Sequence, residues 1–189
     1  MVPDSAEPHH YQKIQYGCGM NVLDGWLNVD GFKTYYPWHL VPEHLQVRIF
    51  RAELAGNHPF LSDSFGFGFA EDFLEHLDQA ESLIFLCEAF RCLKHGGVLR
   101  LSFPGLAGVL KRHYRSSDFV GAFTGFKEAF ETWHHKHFYS AESLLLVSQH
   151  IGYSHFRIET FGESRHEELR GLETRPEQKD LNLIVELVK

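Results

Sequence analysis

Two glycines and an aspartate near the start of the chain have the spacing of a nucleoside-binding turn. Gly17 and Gly19 flank Cys18 directly after a strand-like run, 13–16, and Asp30 ends the next such run. Because glycine has no side chain, a ligand can lie against the backbone of this turn. A carboxylate at the tip of the neighbouring strand can accept hydrogen bonds from both hydroxyls of a ribose. The pattern indicates a site for a nucleoside-bearing cofactor, although a lone Gly-x-Gly pair also occurs in ordinary turns.

The segments that must position these residues alternate between strand and helix patterns. This alternation predicts an α/β fold, with a Rossmann-like, mainly parallel sheet and helices on both faces. The last two strands have no helical period between them, which predicts an antiparallel edge strand at the C-terminal end. The predicted strands are 13–16, 26–29, 47–51, 66–70, 98–103, 156–161 and 183–188, and the main predicted helices are 78–93, 106–114 and 140–150.

The connection between the first two strands is unusually short. Only six residues separate Gly19 from Trp26, whereas a crossover between parallel strands usually needs about ten or more. Either the two runs are not neighbours, or the crossover helix has shrunk to a single turn. The turn signal Asp24-Gly25 favours a one-turn helix that ends there.

Size and composition describe a globular protein. A chain of 189 residues suits a flexible leader over 1–12 and a single domain over 13–189. The net charge of -7 disfavours nucleic acid as a partner, because there is no basic excess to displace counterions. No run has the length of a membrane span, and no secretory signal is expected. The odd number of cysteines predicts reduced thiols in the cytoplasm, with Cys87 and Cys92 in the core of helix 78–93.

Several motifs, taken in order, resemble the class I S-adenosylmethionine-dependent methyltransferases over nearly the whole chain. They are Gly17-Cys18-Gly19 with Asn28-Val29-Asp30, Ser64-Phe65 before a strand, Phe73-Leu74-Glu75-His76-Leu77, and Leu93-Lys94-His95-Gly96-Gly97 before Val98-Leu99-Arg100-Leu101. The tail is similar to a small, uncharacterised bacterial subgroup of predicted methyltransferases, through His135-Lys136-His137-Phe138-Tyr139, Gly162-Glu163-Ser164-Arg165-His166 and Leu169-Arg170-Gly171-Leu172-Glu173. Some members of that subgroup are linked by analogy to surface-polysaccharide synthesis.

The resemblance implies S-adenosylmethionine as the cofactor and methyl transfer to a small molecule or a glycan precursor. It implies roles for the following residues: Tyr16, Gly17, Cys18 and Gly19 beside the methionine part, Asp30 on the ribose, Glu53 and Leu54 near the adenine, and Glu71 with Asp72 between methionine and acceptor. The chain departs from the family pattern at Gln15, where many relatives have an acid, and at Glu53, Gly66, Asp72 and Gly105.

Catalysis of methyl transfer to oxygen or nitrogen needs a general base with a pKa near the working pH. His76 is the first candidate and Asp72 the second. The alternative interpretation is structural, because a histidine can cap or pack the following helix and an acid can complement the helix dipole. His135 and His137 would reach the site if residues 116–138 fold over it as a lid.

Two further patterns are less specific. His134, His135 and His137 do not have the i, i+3 or i+4 spacing of ligands on one helix face, so no metal is predicted. The Phe-rich stretch 119–130 indicates core or lid, more than a pocket for a lipid acceptor. Because the first crossover is short, the pocket could be open enough for a partner subunit to complete it, as in a homodimer.

Two alternatives to a methyltransferase stay open. One is a non-catalytic protein that keeps the fold and binds the cofactor weakly, as a scaffold; the short crossover and Gln15 favour it. The other is an NAD-dependent oxidoreductase. This reading is weak, because the turn lacks the third glycine of the dinucleotide fingerprint and the chain has no room for the long helix that follows it.

Overall fold

Seven strands form one mixed sheet in the computed structural model, which describes residues 10–31 and 37–189. Most of the leader predicted over 1–12 lies outside these residues. The order of the strands across the sheet is β3-β2-β1-β4-β5-β7-β6. The strands are β1 Lys13–Tyr16, β2 Leu27–Asp30, β3 Ile49–Arg51, β4 Phe65–Glu71, β5 Leu93–Pro104, β6 His155–Ile158 and β7 Asn182–Val188.

The direction of the strands confirms the predicted fold class. β1 pairs in parallel with β2 and β4, and the β2–β3 and β4–β5 pairs are also parallel. β7 lies between β5 and β6 and runs antiparallel to both. The expected antiparallel pairing at the C-terminal end is therefore present, and β6 forms the outermost strand.

The helices begin and end at the residues that the sequence signals predict. The Asp78 carboxylate accepts a hydrogen bond from the Glu81 amide at 2.9 Å, and the Glu81 carboxylate accepts one from the Asp78 amide at 2.8 Å. This capping box starts the helix Gln79–Cys92. Ser140 and Ser143 form a second capping box, which starts the helix Ala141–Ile151. Gly152 ends this helix in a left-handed conformation, with φ 117°. The helices are α1 Glu43–Gln46, α2 Gln79–Cys92, α3 Leu106–His113, α4 Phe119–Phe126 and α5 Ala141–Ile151.

The one-turn helix predicted between β1 and β2 is wrong, because residues 17–26 contain turns and no helix. The two strands are nevertheless parallel neighbours. The buried amide of Asn28 replaces the helical hydrogen bonds: its oxygen accepts from the Leu23 amide at 2.9 Å, and its nitrogen donates to the carbonyls of Leu23 and Trp26 at 3.0 and 3.1 Å. One side chain thus satisfies the backbone of a connection that is too short for a helix.

The main core lies between the sheet and the helices α2 and α5. Phe85, Leu86 and Ala89 of α2 are fully buried there, as is Leu144 of α5. Cys92 is buried as predicted, but the prediction for Cys87 is wrong, since that residue is exposed. The apolar residues of α2 extend around more than one face, so their spacing alone did not show which face turns inward.

Short segments cover the opposite face of the sheet. The 3-10 helix 167–169 packs there, where Leu169 is buried with Trp26, Phe69 and Val98. α1 packs through a second cluster that contains Cys18, Val41 and Ile49. This thin cover follows from the missing helix after β1.

The Phe-rich stretch 119–130 forms an irregular helical segment. A π-helical turn, 127–131, continues directly from α4. Phe119 and Phe123 are exposed, at 83% and 49%, so this part of the stretch does not belong to the core. The lid role stays a prediction. Among the described residues, no helix is long and apolar enough to cross a membrane.

Candidate functional site

A cavity of about 870 Å³ opens at the carboxyl ends of β1, β2 and β4, where ligands bind in sheets of this kind. Its volume lies in the range of small-molecule sites, roughly 300–1,000 Å³. Nine of the residues singled out from the sequence line it: Gly17, Cys18, Gly19, Asp30, Glu53, Leu54, Glu71, Asp72 and His76.

Tyr16 is the predicted cofactor residue whose side chain does not reach the cavity. It is completely buried in the main core, edge-on to Phe85 at 5.2 Å between ring centroids. Burial raises the pKa of its phenol well above the usual value. Tyr16 therefore supports the glycine turn by packing in the core directly before it in the sequence.

The glycine turn is held in shape by β2. Gly17 and Gly19 have φ values of 63° and 52°, in the left-handed region that favours glycine. The Cys18 amide donates to the Val29 carbonyl at 3.1 Å, and the Gly19 amide donates to Oδ2 of Asp30 at 2.8 Å. The turn and the carboxylate at the tip of β2 thus form one hydrogen-bonded unit at the cavity wall.

The two glycines make different steric demands, and this difference is testable. A Cβ at Gly17 would lie 2.3 Å from the ring of Phe73, whereas a Cβ at Gly19 would meet nothing within 4 Å. We expect Gly19→Ala to cost about 1–2 kcal/mol of stability, from the left-handed backbone alone. Gly17→Ala should cost clearly more. Urea unfolding of both variants measures this order, and equal losses would contradict the clash with Phe73.

The residues after β3 form the part of the cavity that the resemblance assigns to adenine. Oε1 of Glu53 accepts from the Ala55 amide at 2.9 Å, which fixes a tight turn. Leu54 is buried, and Nε2 of His58 donates to its carbonyl at 3.1 Å. Burial lowers the pKa of His58, which keeps this imidazole neutral near pH 7. A neutral histidine therefore holds the apolar Leu54 at the cavity wall.

Gln15 lines the cavity and carries a buried polar atom. The residue is 2% exposed, and its Oε1 has no hydrogen-bond partner among the described residues. Leaving a buried amide oxygen unpaired is costly, so such atoms usually have a role. The amide oxygen can accept from a ligand, as an acid would at the same position.

The connector between β6 and β7 supplies two site residues that the sequence analysis missed. Thr174 donates its backbone amide and its hydroxyl to the Glu71 carboxylate, at 2.9 and 2.8 Å. Arg175 forms an ion pair with Asp72, and the Asn182 amide donates to the same carboxylate at 3.3 Å. Neither Thr174 nor Arg175 lies in a segment with a helical or strand period, so the sequence carried no signal for either residue.

The ion pair bears on the role of Asp72. Burial raises the pKa of this carboxyl, and the Arg175 guanidinium opposes that effect. Asp72 also has φ 48°, a conformation that aspartate tolerates and that occurs at functional sites. Because its carboxylate is bonded to Arg175 and Asn182, Asp72 is better suited to fixing the connector than to accepting a proton.

The structure brings His76 together with His135, which the sequence analysis expected at the site only if a lid closes, and with Glu75, to which it gave no role. Glu75 is 1% exposed, and His135 lies beside both residues. The Lys136 amide donates to the Glu75 carbonyl at 2.8 Å, which holds the 134–139 segment against the end of β4. Burial lowers the pKa of His76, and burial followed by the charge on His76 lowers the pKa of His135 to about 4. Both imidazoles are therefore neutral near pH 7.

Comparisons by sequence and by structure give different results. The sequence matches no protein-family model and no curated protein sequence. The fold is similar to that of many solved S-adenosylmethionine-dependent methyltransferases. One from Thermotoga maritima is 16% identical, with a TM-score of 0.60 over 94% of this chain and 82% of that chain. One from Archaeoglobus fulgidus is 14% identical, with a TM-score of 0.60 over 95% and 86%.

A third similar structure contains ligands. Phosphoethanolamine N-methyltransferase 2 of Haemonchus contortus, in complex with phosphomonomethylethanolamine and S-adenosylhomocysteine, is 14% identical, with a TM-score of 0.57 over 95% of this chain and 48% of that chain. At these identities the likeness concerns the fold. The chain therefore has the fold of the class I S-adenosylmethionine-dependent methyltransferases, as its motifs predicted.

Proposed function

We propose that this protein is an S-adenosylmethionine-dependent methyltransferase that acts on a small molecule or a glycan precursor. One observation carries the proposal: the glycine turn and Asp30 face the same cavity as His76, a neutral imidazole. A nucleoside-binding edge and a candidate base thus share one space. The fold is consistent with this activity, but the same fold hosts other functions, so the argument rests on the residues of the cavity.

The residues present fit the cofactor. The unpaired Oε1 of Gln15 offers an acceptor for the amino group of the methionine part. A Cβ at Gly19 would project into open space beside the cavity, so the glycine leaves room for a ligand against the backbone. Asp30 would accept from the ribose hydroxyls, and Leu54 would contact the adenine. Glu71 borders the region between methionine and acceptor, where Thr174 orients its carboxylate.

The chemistry divides between the cofactor and the chain. S-adenosylmethionine, when bound, supplies an electrophilic methyl group on a sulfonium. The chain aligns the acceptor with that group, and alignment can contribute up to roughly 7–11 kcal/mol to catalysis. His76 accepts the proton from the acceptor's oxygen or nitrogen as its neutral imidazole. Asp72 is the second candidate base, restrained by its ion pair with Arg175.

Three other residues of the cavity wall suit a polar acceptor. Trp133 lines the cavity with a half-exposed ring, and an aromatic face can stack on a sugar. Arg112 and Lys136 also line the cavity, and such cations bind phosphate groups. We propose on this basis that a phosphorylated or nucleotide-linked sugar is a suitable acceptor.

Binding of S-adenosylhomocysteine tests the proposal directly. Isothermal titration calorimetry with ligand up to near-millimolar concentration should give a dissociation constant in the micromolar range, equivalent to about -8 kcal/mol. NAD in a parallel thermal-shift measurement should produce no stabilisation. The absence of S-adenosylhomocysteine binding at the highest concentration would exclude the cofactor assignment for the isolated chain.

A scaffold protein with the same fold is the second candidate, favoured by the short connection 17–26 and by Gln15. It predicts weak cofactor binding and no methyl transfer to any sugar phosphate offered.

We also propose a cytoplasmic location, on the evidence of three cysteines that form no disulfide. A homodimer that completes the pocket is a further prediction, measured by light scattering of the purified protein.

A further inference from the structure

Three side chains from distant parts of the sequence meet at one wall of the cavity. Glu75 and His76 belong to the 3-10 helix 74–76 after β4, and His135 follows the π-helical turn. One potential ligand atom from each residue lies within 4.8 Å of the other two. Nε2 of His76 and Nε2 of His135 are each 4.0 Å from Oε1 of Glu75.

The carboxylate at the centre of this cluster has no hydrogen-bond partner in the part of the chain that the structure describes. The Glu75 side chain is 1% exposed, and neither of its oxygens accepts a hydrogen bond from any residue of 10–31 or 37–189. Burial, reinforced by the charge on Asp72, raises its pKa well above the usual range. An isolated carboxylate is very costly to bury, so Glu75 must hold either a proton or a cation. Glu75 lies in the wall of the cavity.

The two imidazoles are oriented as metal ligands are. Nδ1 of His135 donates to the Ala129 carbonyl at 2.7 Å, which leaves Nε2, on the side of Glu75, with its lone pair. His76 is in turn hydrogen-bonded to the backbone of His134. Backbone bonds of this kind fix the tautomer and the direction of ligating histidines. A neutral imidazole is the form that binds metal.

We propose that Glu75, His76 and His135 bind one divalent transition-metal ion. Two imidazole nitrogens and one carboxylate oxygen are a donor set suited to zinc, iron(II) or cobalt(II). In a tetrahedral site with bonds of about 2.1 Å the donor atoms lie roughly 3.4 Å apart, so binding draws these three together by about 1 Å. His76 is the most exposed of the three ligands, at 31% against 11% for His135 and 1% for Glu75.

The ion would face the acceptor. Glu75, His76 and His135 all line the cavity. Because three protein ligands do not complete the coordination of the ion, at least one coordination position would be open toward the cavity. The charges nearest this cluster are Asp72 and Glu71, which favour a cation, and Lys136 and Arg175, which oppose it. Arg175 is already paired with Asp72, which weakens its opposition.

The metal site and the methyltransferase are separate proposals, but they have a joint consequence. A bound ion would polarise an acceptor hydroxyl and lower its pKa. In that reaction, which rests on the proposed function, His76 would serve as a ligand and not as the base, and the proton of the acceptor hydroxyl would pass to water in the open cavity.

Cobalt(II) is the probe for the site, because its absorption spectrum reports its ligands. The protein is treated with EDTA, desalted and titrated with CoCl₂ without any nucleoside. We expect a saturable visible absorption at one ion per chain, which zinc displaces. Glu75→Gln and His135→Gln should each weaken cobalt binding by at least about tenfold, the range seen when a metal site loses a ligand or its support. His150→Ala, an exposed histidine of α5, should bind as the parent does.

The competing explanation, that Glu75 simply holds a proton, gives the opposite results. The EDTA-treated protein would then show no saturable absorption at millimolar cobalt, and Glu75→Gln would leave stability unchanged. Binding that persists in both Glu75→Gln and His135→Gln would assign the ion to other histidines and overturn the proposal. If these buried variants do not fold, His76→Ala replaces them. Since no nucleoside is present, failure of cofactor binding leaves this result unaffected.

Discussion

Replacing Asp30 by alanine should reduce the affinity for S-adenosylhomocysteine about 100-fold. The carboxylate stands at the tip of β2, lines the cavity and is fixed by the Gly19 amide at 2.8 Å. In the proposed complex it accepts from two ribose hydroxyls. Hydrogen bonds to a charged group contribute roughly 1.5–3 kcal/mol each, so losing both costs about 3 kcal/mol or more. Calorimetry on the parent and on Asp30→Ala measures the difference.

Two control variants separate the ribose from the turn. Asp30→Asn keeps an oxygen for the Gly19 amide but loses the charge, so it should lie between Asp30→Ala and the parent. Asp24→Ala removes a 95% exposed carboxylate from the same connection and should bind as the parent does. Thermal unfolding of all three shows whether the turn survives. A folded Asp30→Ala that binds with the parent's affinity would exclude the ribose role and leave the cofactor orientation unsupported.

The site residues that the sequence predicted are those with a local signature. Gly17, Gly19 and Asp30 follow one another within a strand, a turn and a strand, and each structural demand is visible in the residue type. Glycine is favoured where φ is positive, and an acid at the end of a strand beside a cavity can accept from ribose hydroxyls. Helix caps such as Ser140 were predictable for the same reason, because a cap is a contact between residues three positions apart.

The groupings of residues that the sequence did not predict depend on long-range contacts. Glu75 and His135 are 60 positions apart, and only the fold of the 134–139 segment joins them. Glutamate is seldom fully buried, so a central role for Glu75 ran against the general tendency of its residue type. The burial of Arg100 was not predictable from the local sequence either. Arg100 alternates with apolar neighbours in β5, a pattern typical of a solvent-facing position. The connector from β6 to β7 covers it instead.

Arg100 is the buried link between the sheet and that connector. Its guanidinium donates to Glu173 of the connector at 2.5 Å and to Glu186 of β7 at 2.8 Å, and all three side chains are at most 1% exposed. It also donates to the carbonyls of Glu163 and Thr160, at 2.9 and 3.1 Å. Four of the five N–H groups of the arginine therefore have an acceptor among the described residues, and two of these acceptors are buried carboxylates.

Replacing Arg100 by methionine should remove about 3–5 kcal/mol of stability. Methionine fills much of the space but leaves two carboxylates buried without a cation, and breaking a buried ion pair by removing one partner has a cost of this size. The loss is a large part of the roughly 5–15 kcal/mol that stabilises a typical domain. Urea unfolding measures it. Arg165→Met, an exposed arginine of the same connector, should change stability by less than about 0.5 kcal/mol.

Neutralising Glu173 and Glu186 tests whether unpaired buried charge causes the loss of stability in Arg100→Met. Arg100→Met combined with Glu173→Gln and Glu186→Gln should be more stable than Arg100→Met alone, because no unpaired charge is then buried. If the combined variant is less stable than Arg100→Met, packing and carbonyl bonding dominate over charge. The connector also carries Thr174 and Arg175 to Glu71 and Asp72. Loosening the connector in Arg100→Met should therefore expose residues 162–180 to proteolysis before the sheet unfolds, and the cavity wall at Glu71 and Asp72 should lose its shape at the same time.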